Sequence, residues 1–245
     1  MTLSSEEVRR YARHVVLKGF GGAGQQKLKA ARVLVIGAGG LGSPAIAYLA
    51  GAGVGRLGVV DDDRVSISNL QRQVIHHGGQ LEKPKVESAA AFVKALNPFV
   101  EFVAHPVHVG PDNAAALLAG YDLVLDGSDN FGTRAAVAAA AEAAAVPLIS
   151  GAVSMFDGQV TVLAPHLERP GGGRFPRFAD LYPETPDPDD LPSCEVVGVL
   201  GPVTGVIGTL MAMEAIKLIT GLGEPLLGRL LLYDGRAARF TEIAW

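Results

Sequence analysis

A glycine-rich turn is the first segment of this sequence whose residue types suggest chemistry. Gly37-Ala-Gly-Gly-Leu-Gly42 follows the apolar stretch Arg32–Ile36 and precedes a helical pattern. Glycines in such a turn let the backbone approach a phosphate group, whose charge the N-terminus of the next helix favours. Asp61 ends the next predicted strand, where a carboxylate can accept hydrogen bonds from ribose hydroxyls. These features predict a site for an adenine nucleotide.

Cationic and amide side chains follow the predicted ribose site. Ser66–Gln73 holds several amides and the Arg72 guanidinium, and Lys85 begins the next predicted helix, where the helix dipole does not favour a cation. A triphosphate explains both cations, because arginine binds phosphate through two parallel hydrogen bonds and lysine supplies a compact charge. The alternatives are that both are solvated surface charges, or that the protein is a NAD-dependent oxidoreductase, although no clear acid or base for hydride transfer follows.

The segment Asp126-Gly-Ser-Asp-Asn130 ends the fourth predicted parallel strand. Ligands collect at this edge of open α/β sheets, and magnesium prefers one or two carboxylates together with phosphate oxygens and water. Asp129 is therefore a candidate magnesium ligand. As an alternative, Asp126 or Asp129 caps the helix that follows.

Alternating strand and helix patterns must position these residues. They predict an α/β fold with a Rossmann-like, doubly wound, mainly parallel sheet, which antiparallel strands extend in the C-terminal half. The predicted strands are residues 32–36, 57–60, 100–107, 122–125, 147–150, 158–163, 229–233 and 239–243. The predicted helices are 5–17, 24–30, one ending near 52, 84–96, a short one capped by Asp112, and an alanine-rich one ending at 145.

The composition limits the partners and the compartment. A net charge of -4 gives no general attraction to nucleic acid or anionic lipid. The N-terminus has no secretory pattern, and the apolar stretch Val196–Ile219 includes Pro202, Glu214 and Lys217, which indicates a buried helix rather than a membrane span. Cys194 is the only cysteine, so the chain has no intrachain disulfide. We expect a cytoplasmic protein that binds neither nucleic acid nor membrane.

The set of motifs, in this order, resembles the MoeB/ThiF/HesA adenylyltransferases, which are bacterial relatives of ubiquitin-activating enzymes. The similarity runs over nearly the whole chain. The matching segments are Arg9–His14, Gly37–Ser43, Asp61–Gln73, Lys83–Glu87, Asp126–Asn130 and Met213–Lys217.

The resemblance implies a homodimer that uses ATP and Mg²⁺ to adenylate the C-terminal Gly-Gly carboxylate of a ubiquitin-like sulfur carrier of the MoaD or ThiS type. It implies catalytic roles for Arg13, Arg72, Lys85 and Asp129, with Arg13 reaching across the dimer interface and Asp129 holding the metal. The implied nucleotide-binding residues are Gly39, Gly40, Gly42, Asp61, Asp63, Ser68, Asn69, Gln71, Arg72, Lys85, Asp129 and Asn130.

The same resemblance implies one domain over 1–245. N-terminal helices occupy 1–31, a nucleotide-binding half 32–151, and a carrier-binding half 152–245, which contains a crossover loop at 164–193. This chain departs from many relatives because 170–176 lacks the cysteine pairs that hold a structural zinc ion, so no structural zinc is expected. Cys194 matches a cysteine that some relatives use in sulfur transfer, and an idle thiol is the alternative.

Three questions stay open at this point. The sequence does not decide whether the carrier serves molybdopterin, thiamine or another product. A relative that adenylates a different carboxylate, or one that binds nucleotide without catalysis, would share most of these motifs.

Overall fold

The computed structural model describes residues 2–184 and 197–245, whose strands form one eight-stranded sheet. The strands are β1 Arg32–Ile36, β2 Arg56–Val60, β3 Glu101–His105, β4 Leu123–Asp126, β5 Leu148–Ser154, β6 Asp157–Leu163, β7 Arg229–Asp234 and β8 Arg239–Ala244. The helices are α1 Ser5–Arg10, α2 Ala12–Val15, α3 Gly21–Ala30, α4 Gly42–Ala52, α5 Lys85–Leu96, α6 Ala114–Leu118, α7 Phe131–Ala143, α8 Phe178–Leu181 and α9 Gly201–Thr220.

The sheet has the strand order β3-β2-β1-β4-β5-β6-β7-β8. The first five strands in this order are mutually parallel, and β6, β7 and β8 add in antiparallel pairing. From β1 the chain first builds outward through β2 and β3 and then returns to place β4 on the other side of β1. The fold prediction is confirmed, and this reversal creates a ligand-binding crevice between the ends of β1 and β4.

The parallel strands are apolar along their length because helices cover both faces of the sheet. In β1, Val33 and Val35 pack into the core beneath α4 and α9, whereas Leu34 and Ile36 pack into the core beneath α6 and α7. Each of these four side chains is at most 2% exposed. The central strands are thereby fixed from both sides, which holds their carboxyl ends in register.

The N-terminal segment differs from the single predicted helix over 5–17. Helix α1 starts in a capping box between Ser4 and Glu7, but the chain leaves helical geometry at Tyr11 and ends its second helix at Val15. Tyr11 is 3% exposed, and its hydroxyl accepts a hydrogen bond from Asn97 at 2.8 Å. The helical pattern breaks where this ring turns inward.

Other boundaries also differ from the predictions. Asn113, not Asp112, occupies the N-cap of α6, and β5 continues to Ser154 because it pairs with β6 beyond the parallel region. The predicted crossover loop at 164–193 is described only to residue 184 and includes the short helix α8. Cys194 lies outside the described residues.

Helix α9 is the long apolar helix of the C-terminal half. Within the described residues it alone has the length and composition of a membrane span, and half of its most apolar window is buried inside the protein. It packs against α4, β5 and β6. These contacts are those of a core helix.

The glycine turn between β1 and α4 is packed backbone against backbone. A Cβ added at Gly42 would overlap the Gly37 carbonyl oxygen, and Gly37 itself has a φ of +89°. Side chains are excluded at both ends of the turn for steric reasons. The turn therefore keeps one shape.

We predict that Gly42→Ala lowers the free energy of unfolding by about 3 kcal/mol, because the methyl group meets backbone that cannot move aside. The matched control is Gly51→Ala in the same helix, where the nearest atom to an added Cβ is Leu96 Cδ2 at 4.0 Å. That variant should be neutral or up to about 1 kcal/mol more stable, from alanine's helix propensity. Urea unfolding measures both, and equal effects would contradict this steric account.

Candidate functional site

A pocket opens at the carboxyl ends of the central parallel strands. The glycine turn, the ends of β2 and β4, the segment after β2 and the N-termini of α5, α7 and α9 surround it. The residues that line it are Ile36, Gly37, Gly39, Gly40, Leu41, Val60, Asp61, Asp62, Asp63, Asn69, Arg72, Gln73, Lys85, Val107, His108, Val109, Gly127, Ser128, Asp129, Asn130, Thr133, Arg134, Val153, Val199 and Thr204.

Nine of the predicted site residues meet in this pocket, and four do not line it. The nine are Gly39, Gly40, Asp61, Asp63, Asn69, Arg72, Lys85, Asp129 and Asn130. Gly42 is buried against Gly37, while Ser68, Gln71 and Arg13 are exposed away from the pocket lining. Gly42 is needed because a side chain there would overlap the backbone of the turn; it does not line the pocket.

The two central glycines of the turn, Gly39 and Gly40, have different surroundings. At Gly39 the nearest atom to an added Cβ is Gln73 Nε2 at 3.7 Å, so this backbone borders open space. At Gly40 an added Cβ would lie 3.0 Å from Thr204 Cγ2 of α9. Gly39 is therefore the position where a phosphate can approach, and Gly40 makes room for α9.

Asp61 joins the end of β2 to the glycine turn. Its Oδ2 accepts the Ala38 N–H at 2.7 Å, and its Oδ1 accepts the Asp63 N–H at 2.9 Å. Each carboxylate oxygen retains a lone pair for a ribose hydroxyl. Burial raises the pKa of Asp61, and the charge of Lys85 acts in the opposite direction.

A buried polar chain holds the other side of the same peptide. His76 Nε2 donates to the Ala38 carbonyl at 2.9 Å, while its Nδ1 lies 2.6 Å from Ser88 Oγ, which in turn contacts Gln80 Oε1 at 2.6 Å. Burial lowers the pKa of His76, and nearby Lys85 lowers it further. The His76 ring thus fixes the turn, a role that sequence patterns did not reveal.

Lys85 is an ion-paired, buried cation. Its Nζ lies 2.7 Å from Asp63 Oδ2 and 4.0 Å from Asp61 Oδ1, and its side chain is 6% exposed. The sequence predicted a phosphate-binding cation at this position, and the structure pairs it with the Asp63 carboxylate. Because the Asp63 side chain is 67% exposed, it can move aside when a phosphate competes for the ammonium group.

The segment after β2 brings Arg72 and Gln73 to the pocket. The Arg72 guanidinium makes one internal hydrogen bond, from Nη1 to the Ser68 carbonyl at 3.2 Å, which leaves most of its donors available. Gln73 is 3% exposed, and its Oε1 has no hydrogen-bond partner among the described residues. A buried amide without a partner costs free energy unless a ligand satisfies it. Gln73 is thus a pocket residue that the sequence prediction missed.

The loop after β4 separates two aspartates with different environments. Asp129 is exposed on the pocket wall and has no hydrogen bond or ion pair within the described residues. Asn130, rather than either aspartate, caps α7 by accepting the Thr133 N–H at 3.1 Å. The Asp129 carboxylate is therefore available to bind a metal ion, whereas the Asn130 side-chain oxygen already accepts a hydrogen bond from α7.

A second acidic group contains Asp61, Asp62 and Asp63. Within 2–184 and 197–245 these carboxylates are the only group of three or more His, Cys, Asp or Glu side chains close enough to share a metal ion. Lys85 already pairs with Asp63 at 2.7 Å and lies 4.0 Å from Asp61. Asp129, together with phosphate oxygens, fits a magnesium ion better because no protein cation competes there.

Asp126 is buried behind the loop, at 1% exposure. Its Oδ1 accepts hydrogen bonds from the Ser128 N–H and hydroxyl at 3.0 and 2.7 Å, while its Oδ2 has no partner. Burial raises the pKa of Asp126, and the charge of Arg134 opposes this shift. Arg134 also spans the loop and β5, because its Nε donates to the Ser128 carbonyl at 3.0 Å and its Nη2 to that of Gly151.

An apolar groove of about 490 Å³ lies beside the pocket, on the antiparallel part of the sheet. Residues of β5–β8 form its floor, and α7 with Tyr182 forms its wall. The lining residues are Phe131, Arg134, Ala152, Val153, Ser154, Asp157, Gly158, Gln159, Tyr182, Leu232, Tyr233, Asp234, Arg239 and Thr241. Arg134 and Val153 line both cavities.

Comparison with known proteins agrees with this geometry. The model of the ThiF family matches residues 11–245. The chain belongs to the ThiF family. Two curated members are similar along almost the whole chain. "Probable adenylyltransferase/sulfurtransferase MoeZ" of Mycobacterium tuberculosis is 50% identical over 241 residues, and the sulfur carrier protein adenylyltransferase of Thermus thermophilus is 46% identical over 243 residues.

The coverage of these relatives differs. The match includes 98% of this ThiF-family chain and 61% of MoeZ, against 99% of this chain and 89% of the Thermus protein. Among solved structures, Escherichia coli MccB with ATP superposes with a TM-score of 0.78 at 17% identity, covering 99% of this chain and 79% of MccB. At this identity the likeness shows the fold alone.

We predict that ionisation of the buried Asp126 carboxyl lowers the free energy of unfolding as the pH rises. Because its pKa is raised in the folded state, the folded protein binds more protons than the unfolded chain above about pH 4, so the free energy of unfolding falls with increasing pH. Asp126→Asn keeps an acceptor for Ser128 and removes the titration. The variant should gain stability relative to wild type between about pH 4 and pH 7 in urea unfolding. A difference that stays constant with pH would contradict the prediction.

Proposed function

We propose that this protein uses ATP to adenylate the C-terminal Gly-Gly carboxylate of a ubiquitin-like sulfur carrier of the MoaD or ThiS type, with release of pyrophosphate. The observation that carries the proposal is the direct junction between the pocket at the glycine turn and an apolar groove. A nucleotide and an extended peptide tail can meet there. The product pathway would be sulfur incorporation into molybdopterin or thiamine.

The relatives support this choice over the alternatives. Both curated relatives are named as adenylyltransferases, and one is named for a sulfur carrier protein. Nothing in their names favours a NAD-dependent oxidoreductase. MccB, which shares the fold, is described in complex with ATP.

The charges of the pocket suit an attack on a phosphate. The tail carboxylate is ionised at neutral pH and attacks the α-phosphate, so two anions must approach each other. Arg72 and Lys85 offset this repulsion, and the Gly39 backbone can approach the phosphates. A carboxylate oxygen forms the new bond to phosphorus, the bond to the β-phosphate breaks, and no general base is required.

Asp129 would hold the magnesium ion, with Asp61 on the ribose. When bound, magnesium would neutralise phosphate charge. Asp129 suits this role because its carboxylate is exposed on the pocket wall without a protein partner. The other predicted contacts, from Asn69, Asp63 and Asn130, also line the pocket.

The groove would receive the carrier tail. Gly-Gly residues are narrow, and a floor made of Ala152, Gly158 and other residues of β5–β8 leaves room for an extended backbone. The rim offers Arg239 and Asp234 for polar contacts with the body of the carrier. A protein with this sheet surface would recognise its partner through both shape and charge.

A homodimer would complete the pocket. Arg13 lies on α2 and lines neither cavity of its own chain, so a catalytic role requires a second copy. Apolar side chains are exposed nearby in sequence, since Val16 is 74% and Leu17 is 53% exposed. We place this dimer in the cytoplasm, with α9 as a core helix.

The proposal is tested by exchange of labelled pyrophosphate into ATP in the presence of magnesium and a carrier ending in Gly-Gly. We expect exchange that disappears when the tail is truncated. Arg72→Ala and Asp129→Ala should each lower the exchange rate by about a hundredfold, because each removes a group that stabilises developing charge. Arg64→Ala is the control, since Arg64 does not line the pocket. Variants with nearly wild-type rates would remove these residues from the site.

The dimer is tested by mixing inactive variants. Subunits carrying Arg13→Ala and Arg72→Ala, combined equally and allowed to exchange, should regain about a quarter of wild-type activity, because each heterodimer contains one intact composite site. The control mixture of Arg72→Ala with Asp129→Ala should stay inactive, since both residues belong to the same subunit's pocket. Recovery in neither mixture would contradict the role of Arg13.

A further inference from the structure

Arg134 occupies the junction of the two cavities. It lines both the nucleotide pocket and the apolar groove, and Val153 is the only other described residue that does so. A group that extends from the groove into the pocket therefore comes close to this guanidinium. Among the described residues that line the groove, Arg239 is the other cation, and it does not reach the pocket.

The guanidinium is anchored but not fully used. Nε donates to the Ser128 carbonyl at 3.0 Å and Nη2 to the Gly151 carbonyl. Nη1 has no hydrogen-bond partner within the described part of the chain. The Ser128 and Gly151 carbonyls belong to different elements, so these two hydrogen bonds fix the plane of the guanidinium. Its remaining N–H donors are available for a ligand.

The Asp126 carboxylate makes no hydrogen bond to Arg134 within the described residues. Asp126 interacts with Arg134 through charge, but its hydrogen bonds come from Ser128, and burial raises its pKa. A partly buried arginine with available donors is well suited to a carboxylate, which accepts hydrogen bonds from a guanidinium in a planar geometry.

We propose that Arg134 binds the terminal carboxylate of the incoming carrier tail and orients it toward the α-phosphate. The inference rests on the proposed function and adds a substrate-binding residue to it. Arg72 and Lys85 then act on the nucleotide, whereas Arg134 acts on the carboxylate before the bond to phosphorus forms. The backbone anchors place that carboxylate because they determine where the guanidinium lies.

The test compares two carriers that differ only in the tail, one with a free carboxylate and one with a C-terminal amide. Their affinities are measured by titration calorimetry with magnesium and α,β-methylene-ATP, which occupies the phosphate site and prevents adenylation. The wild-type dimer should prefer the free acid. In Arg134→Gln the ratio of the two affinities should fall by about tenfold or more, because a charge-assisted hydrogen bond is lost.

Arg239→Gln is the matched control, since it removes a charge from the groove but not from the junction. It should leave the acid-to-amide ratio unchanged. If Arg134 only braces the loop to β5, Arg134→Gln will weaken both carriers equally, and the proposal is overturned. Should that variant fail to fold, Arg134→Lys gives the same test, since one ammonium group cannot keep both anchors and also bind the tail.

The outcome for wild type separates the two proposals. If wild type binds neither carrier and catalyses no exchange, the carrier assignment itself fails. If wild type adenylates the carrier but binds acid and amide equally well, the carrier assignment stands and the role of Arg134 is contradicted.

Discussion

The structure depends on how the backbone of one residue, Ala38, is held within the glycine turn. Its N–H is bound by Asp61 at 2.7 Å and its carbonyl by His76 at 2.9 Å, so strands, turn and the segment after β2 are tied to the same point. Packing of Gly42 on Gly37 closes the turn from behind. A phosphate site made of backbone groups needs this rigidity, because its donors cannot adjust as side chains can.

From that fixed turn, the remaining groups are arranged by charge. Lys85 lies between Asp61 and Asp63. Their carboxylates stabilise its buried charge at the edge of the pocket. On the opposite wall, Asp129 is left unpaired while Asp126 and Arg134 are held by the loop. The pocket therefore offers the Lys85 and Arg72 cations to phosphates, and the Asp129 carboxylate to a metal ion.

Much of this arrangement was predictable from sequence, because the glycine turn, Asp61 and Asp129 lie at strand ends that local patterns identify, and Arg72 lies in the polar segment after Asp61. Gln73, Thr204 and Arg134 were missed because their positions depend on packing between distant segments. Local pattern also could not predict that Lys85 is ion-paired or that Asn130, not an aspartate, caps α7. The helix break at Tyr11 belongs to the same class, since the ring is drawn inward by Asn97, 86 residues away.

The central claim is that this chain forms an acyl adenylate on a carrier tail, and hydroxylamine trapping tests it most directly. Hydroxylamine attacks the acyl carbon of an adenylate and releases AMP. In the presence of ATP, magnesium and a carrier ending in Gly-Gly, we expect the carrier to be converted to its C-terminal hydroxamate, which intact-mass spectrometry detects. One AMP should be released for each carrier modified. ATP binding without hydroxamate, or AMP release that does not depend on the carrier tail, would contradict it.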